Sequence, residues 1–216
     1  MVFIREILLL GIECLSVLLP TGLVFLVLCG FYKRRGAEPG RKHFFALLVF
    51  AVYISAVFAV TSSGTVFDAM RHGIYRYYWD PTIWKQLSLI PFSQENYIYQ
   101  YVLNVLMLVP FGFLLPAIWK KSNSVLCIAA AGFSFSLLIE LSQLLNHRKS
   151  DVDDLITNTA GAVLGLLCFR LFAKLTKWDT GHAQYVRAEP IIYVAAMFLG
   201  HFLLFDQPTI VGLLYK

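Results

Sequence analysis

The sequence predicts an all-α fold, a polytopic transmembrane helix bundle of about six spanning helices, with five as the alternative count. Of 216 residues, 58% are apolar and 14% charged, against about 25% charged in an average soluble domain. Mean hydropathy is +0.68. The charges gather in short stretches between apolar runs long enough to cross a hydrocarbon core of about 30 Å. Those runs cover approximately 7–32, 43–62, 97–118, 123–145, 152–173 and 189–205, the last being short. The expected organisation is two N-terminal transmembrane helices (1–62), an external aromatic-rich interfacial loop (63–96), a three-helix core (97–173), and a cytoplasmic linker with a C-terminal transmembrane helix (174–216).

The first run is too long for the core of a secretory signal and leads into a basic cluster instead of a cleavage site, which predicts a retained span. Leu28 stands before Cys29 where a lipoprotein signal needs a small residue, so lipidation is not expected. The linker from Lys33 to Lys42 carries five basic residues in ten positions, and the positive-inside bias places it in the cytoplasm. Lys120, Lys121, Arg170, Lys174, Lys177 and Arg187 fall on the same side. Six crossings then predict a multi-pass cell-membrane protein with both termini extracytoplasmic. The net charge of +5 is divided among these linkers and forms no continuous stripe, which excludes nucleic acid as a partner. Cys14, Cys29, Cys127 and Cys168 lack the spacing of a metal site or disulfide framework and are expected to be buried, reduced thiols.

Between the second and third runs lie Phe67, Tyr75, Tyr77, Tyr78, Trp79, Trp84 and Phe92, rings that settle at headgroup level. A re-entrant or interfacial segment and a plain loop both fit. Pro81 and Pro91 interrupt any helix there, and Ile90-Pro91-Phe92-Ser93 predicts an extended approach to the third span.

Polar groups within spans are costly, face the bundle interior and mark candidate sites. The third run contributes Asn104. The fourth contributes Glu140 and Gln143 on one face, with His147 a turn further along. The fifth contributes Asp151, Asp154, Asn158, Gly161 and Gly165, whose spacing of three, four, three and four makes a single stripe. Asn104 and Asn158 lie about 10 Å inward from the outer ends of their runs, and Glu140 about 8 Å. The tight connection 146–150 makes the fourth and fifth spans antiparallel neighbours, pairing Gln143 with Asp154 and Glu140 with Asn158. Arg148 and Lys149 are expected above this layer, neutralising its carboxylates. Asp153 is expected to point away to water or headgroups, and His43, His72, His182 and His201 to be isolated interfacial residues. Gly161 and Gly165 form a small-xxx-small pattern that admits a neighbouring helix. Pro110 removes a donor from the carbonyl of Leu106 and predicts a kink, to which Gly112 and Pro116 add irregularity.

Asn104 with Pro110-Phe111-Gly112 and Pro116, then Glu140-Leu-Ser-Gln143, Arg148, Asp151-Val-Asp-Asp154, Asn158, Gly161 and Gly165, resembles the pattern of the VanZ-like membrane proteins, and Pro91-Phe92 resembles that family's motif before this region. The likeness covers approximately residues 90–170 and lies in the combination of elements. It implies a membrane protein of the cell envelope, and the family's namesake is associated with resistance to the glycopeptide antibiotic teicoplanin.

Three classes of function are compatible with these residues. The cluster can bind a ligand at the outer side, either a membrane lipid, a lipid-linked cell-wall precursor or a glycopeptide. It can instead be an enzyme of envelope lipid metabolism, with Glu140 and Asp154 as acid–base groups and Arg148 as an anion clamp, although the sequence has no activated nucleophile, zincin pair or phosphate-cradling glycine loop. A membrane interaction scaffold would use Gly161 and Gly165. A purely structural role, a hydrogen-bonded network locking the three helices, weighs as much as a site. Glu140, His147, Asp151 and Asp154 fit no established metal-ligand spacing, so neither a metal nor a cofactor is expected. The polar residues stop about half way through the membrane, which disfavours transport.

Overall fold

The computed structural model describes residues 2–36, 40–72, 87–88, 90–92, 98–146, 148, 150–178 and 187–214. Tyr75, Tyr77, Tyr78, Trp79, Pro81, Trp84, His147, Lys149 and His182 lie outside the described residues. The elements are α1 (Val2–Lys33), α2 (Arg41–Thr61), α3 (Val66–His72), β1 (Leu87–Ser88), α4 (Ile98–Ile118), α5 (Val125–Gln143), β2 (Ser150–Asp151), α6 (Val152–Thr176), α7 (Glu189–Leu204) and α8 (Gln207–Leu214). Five helices are long and apolar enough to cross a membrane, and α7 with α8 makes a sixth candidate only as a pair bent by 51°. Among the described residues the expected sixth span is thus met only by this bent pair, as a broken span or a re-entrant loop.

The chain divides by packing into two helix groups. α4 and α6 make the most extensive helix contact, α5 joins them against α6, and α7 packs on α1 and α2. Aromatic rings fill the seam between the groups. Phe58 meets Phe135 with centroids 5.9 Å apart, Phe50 meets Trp119 at 5.8 Å, and Trp119 meets Tyr193 at 5.8 Å.

The small residues explain why α4 and α6 come so close. A Cβ at Gly161 would stand 2.2 Å from the Val105 carbonyl oxygen, one at Gly165 2.0 Å from that of Val109, and one at Gly112 1.8 Å from that of Ala162. The small-xxx-small stripe is thus buried inside the chain, against its own α4, and offers no surface to a second protein. α4 also runs unbroken through Pro110 and Pro116. The Tyr53 hydroxyl donates to the Met107 carbonyl at 2.7 Å, next to the Leu106 carbonyl that the Pro110 ring leaves without its helical donor.

Several local expectations are corrected. Ile90–Phe92 forms a bend and turn with Phe92 at φ +54°, where extended chain was expected. The free thiols of Cys127 and Cys168 are exposed and those of Cys14 and Cys29 half-buried, as suits small apolar groups facing lipid.

His43 and His201 are buried and partnered instead of isolated. His43 Nε2 lies 3.1 Å from Glu189 Oε1, and Glu189 also accepts from the Tyr32 hydroxyl. His201 stacks on Phe58 with centroids 4.5 Å apart, donates from Nε2 to the Ser63 carbonyl at 3.2 Å, and lies 3.6 Å from Glu13. Each pair ties α7 to the first two helices, because a buried carboxylate needs a counterpart.

Candidate functional site: a carboxylate layer beside a polar cleft

The α6 N-terminus organises the acidic residues. Asp151 is its N-cap, accepting from the Asp153 backbone N–H at 3.1 Å. A parallel bridge pairs Leu87 with Ser150 and Ser88 with Asp151, which brings the chain before α4 onto the same corner. The Asp151 N–H donates to Glu140 Oε2 at 3.0 Å, so the buried α5 carboxylate fixes the turn into α6. The Glu140 and Asp154 carboxyl groups act on each other electrostatically across the α5–α6 interface. Asp154 also accepts from the Asn104 side-chain amide at 2.6 Å. The side-chain amide of Asn158 donates to Ser136 Oγ at 2.9 Å. Its expected partner was Glu140, one helical turn away. Asn104, Glu140, Asp151, Asp154 and Asn158 are thus brought together as one layer.

Asp153 reverses its expectation. It is 2% exposed and accepts from the Phe92 backbone N–H at 2.8 Å and the Tyr101 hydroxyl at 2.7 Å. The Phe92 and Tyr101 rings meet edge to face at 5.5 Å. A stripe counted from Asp151 by threes and fours passes over Asp153, and its partner is a loop N–H that no helical periodicity reveals. Ser136 was also missed, although Ser136, Glu140 and Gln143 share the spacing of four and three that identifies one helix face.

Gln143 and Arg148 leave the layer altogether. Gln143 Nε2 donates to the Thr61 carbonyl at 2.7 Å, not to Asp154. Arg148 Nη1 donates to the same carbonyl at 2.8 Å, and the Asn146 side-chain amide donates to the Ser62 carbonyl at 2.8 Å. α2 ends at Ser62 with φ +48°, and its last carbonyls carry the negative end of the helix dipole. Arg148 therefore serves a helix C-terminus, and the expectation that it hangs over the carboxylates is corrected. Gly64 lets the link between α2 and α3 press on α5. Its N–H donates to Ser142 Oγ at 3.2 Å, and a Cβ there would fall 1.9 Å from the Ser142 carbonyl oxygen.

These contacts open a cleft of about 410 Å³ lined by Ser62, Ser63, Thr65, Asp68, Asn146, Arg148, Phe205 and Gln207. Thr65 and Asp68 form a reciprocal capping box at the start of α3. Thr65 N donates to Asp68 Oδ2 at 2.8 Å, and Asp68 N to Thr65 Oγ1 at 3.4 Å. Arg71 reaches Asp206 at 2.5 Å and Thr209 at 2.8 Å, closing α3 onto the α7–α8 bend. The cleft offers a guanidinium, hydroxyls, amides and one carboxylate at the end of the helices. Among the described residues no group of three or more His, Cys, Asp and Glu side chains is placed to hold a metal ion.

Long apolar helices closing over a buried acidic layer define an integral membrane protein with polar groups concentrated at one membrane face. The chain belongs to the VanZ/LLP1 family, whose model matches residues 43–173. That match takes in α2, so the family unit includes the helix whose C-terminus Gln143 and Arg148 serve. No curated protein and no solved structure matches the chain.

Proposed function

We propose that this chain binds the polar headgroup of an envelope lipid or lipid-linked cell-wall precursor in the Arg148 cleft, and thereby lowers sensitivity to a glycopeptide such as teicoplanin. The observation that carries this reading is the position of Arg148. It is exposed, beside hydroxyl and amide donors at the end of the spans, as a phosphate-bearing headgroup requires. The carboxylate layer is the scaffold, because each of its acidic side chains is engaged by a donor of the protein itself.

The termini and the cleft lie on the extracytoplasmic side in this reading. Lys33, Arg34, Arg35, Lys120, Lys121 and Arg187 gather at the other ends of the helices, and the positive-inside bias assigns that end to the cytoplasm. Cysteine at position 148 should react with an impermeant maleimide added to whole cells, whereas cysteine at 35 should react only after permeabilisation. The reverse pattern overturns the orientation.

The functional test is the teicoplanin sensitivity of a susceptible bacterium making the wild-type chain or Arg148→Ala, with lipids retained by the purified proteins compared in parallel. The wild type should lower sensitivity and retain one phosphate-bearing lipid. Arg148→Ala should abolish both effects at equal membrane abundance, weakening retention about tenfold or more. Unchanged sensitivity and lipid profile in the variant would sink the reading.

A second reading, an enzyme acting on the same lipids, is favoured by the electrostatic coupling of the Glu140 and Asp154 carboxyl groups, since acid–base work needs two such groups. Against it, Glu140 is 3% exposed, so substrate would have to part α5 from α6. Glu140→Gln and Asp154→Asn would abolish a lipid conversion without loss of stability if this reading holds.

A further inference from the structure

A second cavity opens at the opposite end of the molecule. It measures about 740 Å³, within the range of about 300–1,000 Å³ typical of small-molecule sites, and lies between α5 and α7, where α7 packs mainly on α1 and α2. Its floor is the buried aromatic seam of Phe111, Leu115 and Phe135. Small side chains, Cys127, Ala130 and Ser134, are exposed along the α5 wall and leave a channel where larger residues would fill the gap. From Cys127 to Leu138 the wall runs about 17 Å at 1.5 Å per residue, and half of a hydrocarbon core is about 15 Å.

The mouth of the cavity is cationic. Lys121 stands between the end of α4 and the start of α5, and Arg187 just before α7, so both are at headgroup level when the helices span. Both line the cavity. An apolar groove half a bilayer long beneath two cations is complementary to an amphiphile with one anionic head and an acyl chain.

We propose that the α5–α7 groove is a binding site for an anionic phospholipid of the leaflet on the Lys121 side, its phosphate between Lys121 and Arg187 and one acyl chain along Ala130 and Ser134. This site is separate from the Arg148 cleft and does not rest on the reading given for it. The lipid fills the gap between α5 and α7 and couples the two helix groups along their exposed side.

Native mass spectrometry of the full chain in mild detergent tests this, with dioleoylphosphatidylglycerol, dioleoylphosphatidylcholine and glycerol 3-phosphate as probes. The wild type should retain phosphatidylglycerol about tenfold more than phosphatidylcholine, and glycerol 3-phosphate should neither bind nor displace it. Lys121→Gln with Arg187→Gln should bring the two lipids to equal retention. Ser134→Phe should expel phosphatidylglycerol while both cations remain, and Ala130→Leu repeats the block with less bulk should the phenylalanine prevent folding. Equal retention of the two lipids by the wild type overturns the proposal, as does wild-type retention of phosphatidylglycerol in the charge variant or in the folded blocking variant. Displacement by glycerol 3-phosphate would assign the cations to a free phosphate and remove the lipid.

Discussion

The side-chain amide of Asn104 donates to the Asp154 carboxylate at 2.6 Å across the α4–α6 interface. Both residues are half-buried, at a level where the helices are held together by glycine contacts lower down. An amide facing a carboxylate is the pairing that satisfies each at least cost, since an ionised acceptor strengthens the bond. Asn104→Ala leaves the carboxylate without this donor and should cost about 1–2 kcal/mol, the upper end of interhelical hydrogen bonds in membranes. Thermal unfolding in detergent checks this. A double-mutant cycle with Asp154→Asn should show coupling, and strict additivity would mean the bond contributes nothing.

The glycine contacts make a sharper prediction, because backbone cannot move aside as a side chain can. Gly112→Ala and Gly161→Ala place a methyl group 1.8 and 2.2 Å from a carbonyl oxygen. Either should part α4 from α6 and cost more than about 3 kcal/mol. Gly22 and Gly30 in α1 have no atom within 4 Å of an added Cβ, and alanine there should be neutral or stabilise by up to about 1 kcal/mol. Folded yield and melting temperature in detergent separate the two classes. Equal tolerance at all four positions would contradict the packing described.

Asp153 joins three structural levels at once. Its carboxylate holds the left-handed Phe92 and the Tyr101 hydroxyl, and its backbone N–H donates to the Asp151 cap at the first turn of α6. A non-glycine residue at positive φ costs about 1–2 kcal/mol, so this turn needs the carboxylate that fixes its N–H. Asp153→Ala should therefore cost about 2–3 kcal/mol, against about 1 kcal/mol for Tyr101→Phe. Proteolysis should also become faster within the segment before α4 in Asp153→Ala alone, which mass mapping of the fragments would show.

How far the sequence alone reached follows from the kind of order each feature has. Hydropathy located the five long helices, and threes and fours put Asp151, Asp154, Asn158, Gly161 and Gly165 on one face, because both are properties of one helix. The same count discarded Asp153, whose partners lie in another span and in a turn before it. Gln143 and Arg148 were assigned to the nearest carboxylates, and the stronger demand came from the uncapped carbonyls at the end of α2, a helix remote in sequence. His43 and His201 looked isolated for the same reason. Glu189 and Glu13, their partners, lie on helices that periodicity cannot place in space. The α5–α7 groove was invisible in principle, since it is a gap between two segments each of which reads as an ordinary apolar helix.

A buried carboxylate and an exposed ion pair of the α7 region give a last contrast. Glu189 is 0% exposed and engages both Tyr32 and His43, whereas Asp206 meets Arg71 at the surface, with Arg71 36% exposed. Removing Glu189 strands the buried Tyr32 hydroxyl and His43 ring without their acceptor, a loss of about 1–3 kcal/mol for each group left unsatisfied, while an exposed pair contributes about 1 kcal/mol or less. Glu189→Ala should therefore destabilise the chain several times more than Asp206→Ala in detergent melts. Added salt should weaken only the Arg71–Asp206 contribution, because ions screen exposed charges and not buried ones. If Glu189→Ala melted with the wild type, the His43 and Tyr32 contacts would be incidental to the packing of α7 on α1 and α2.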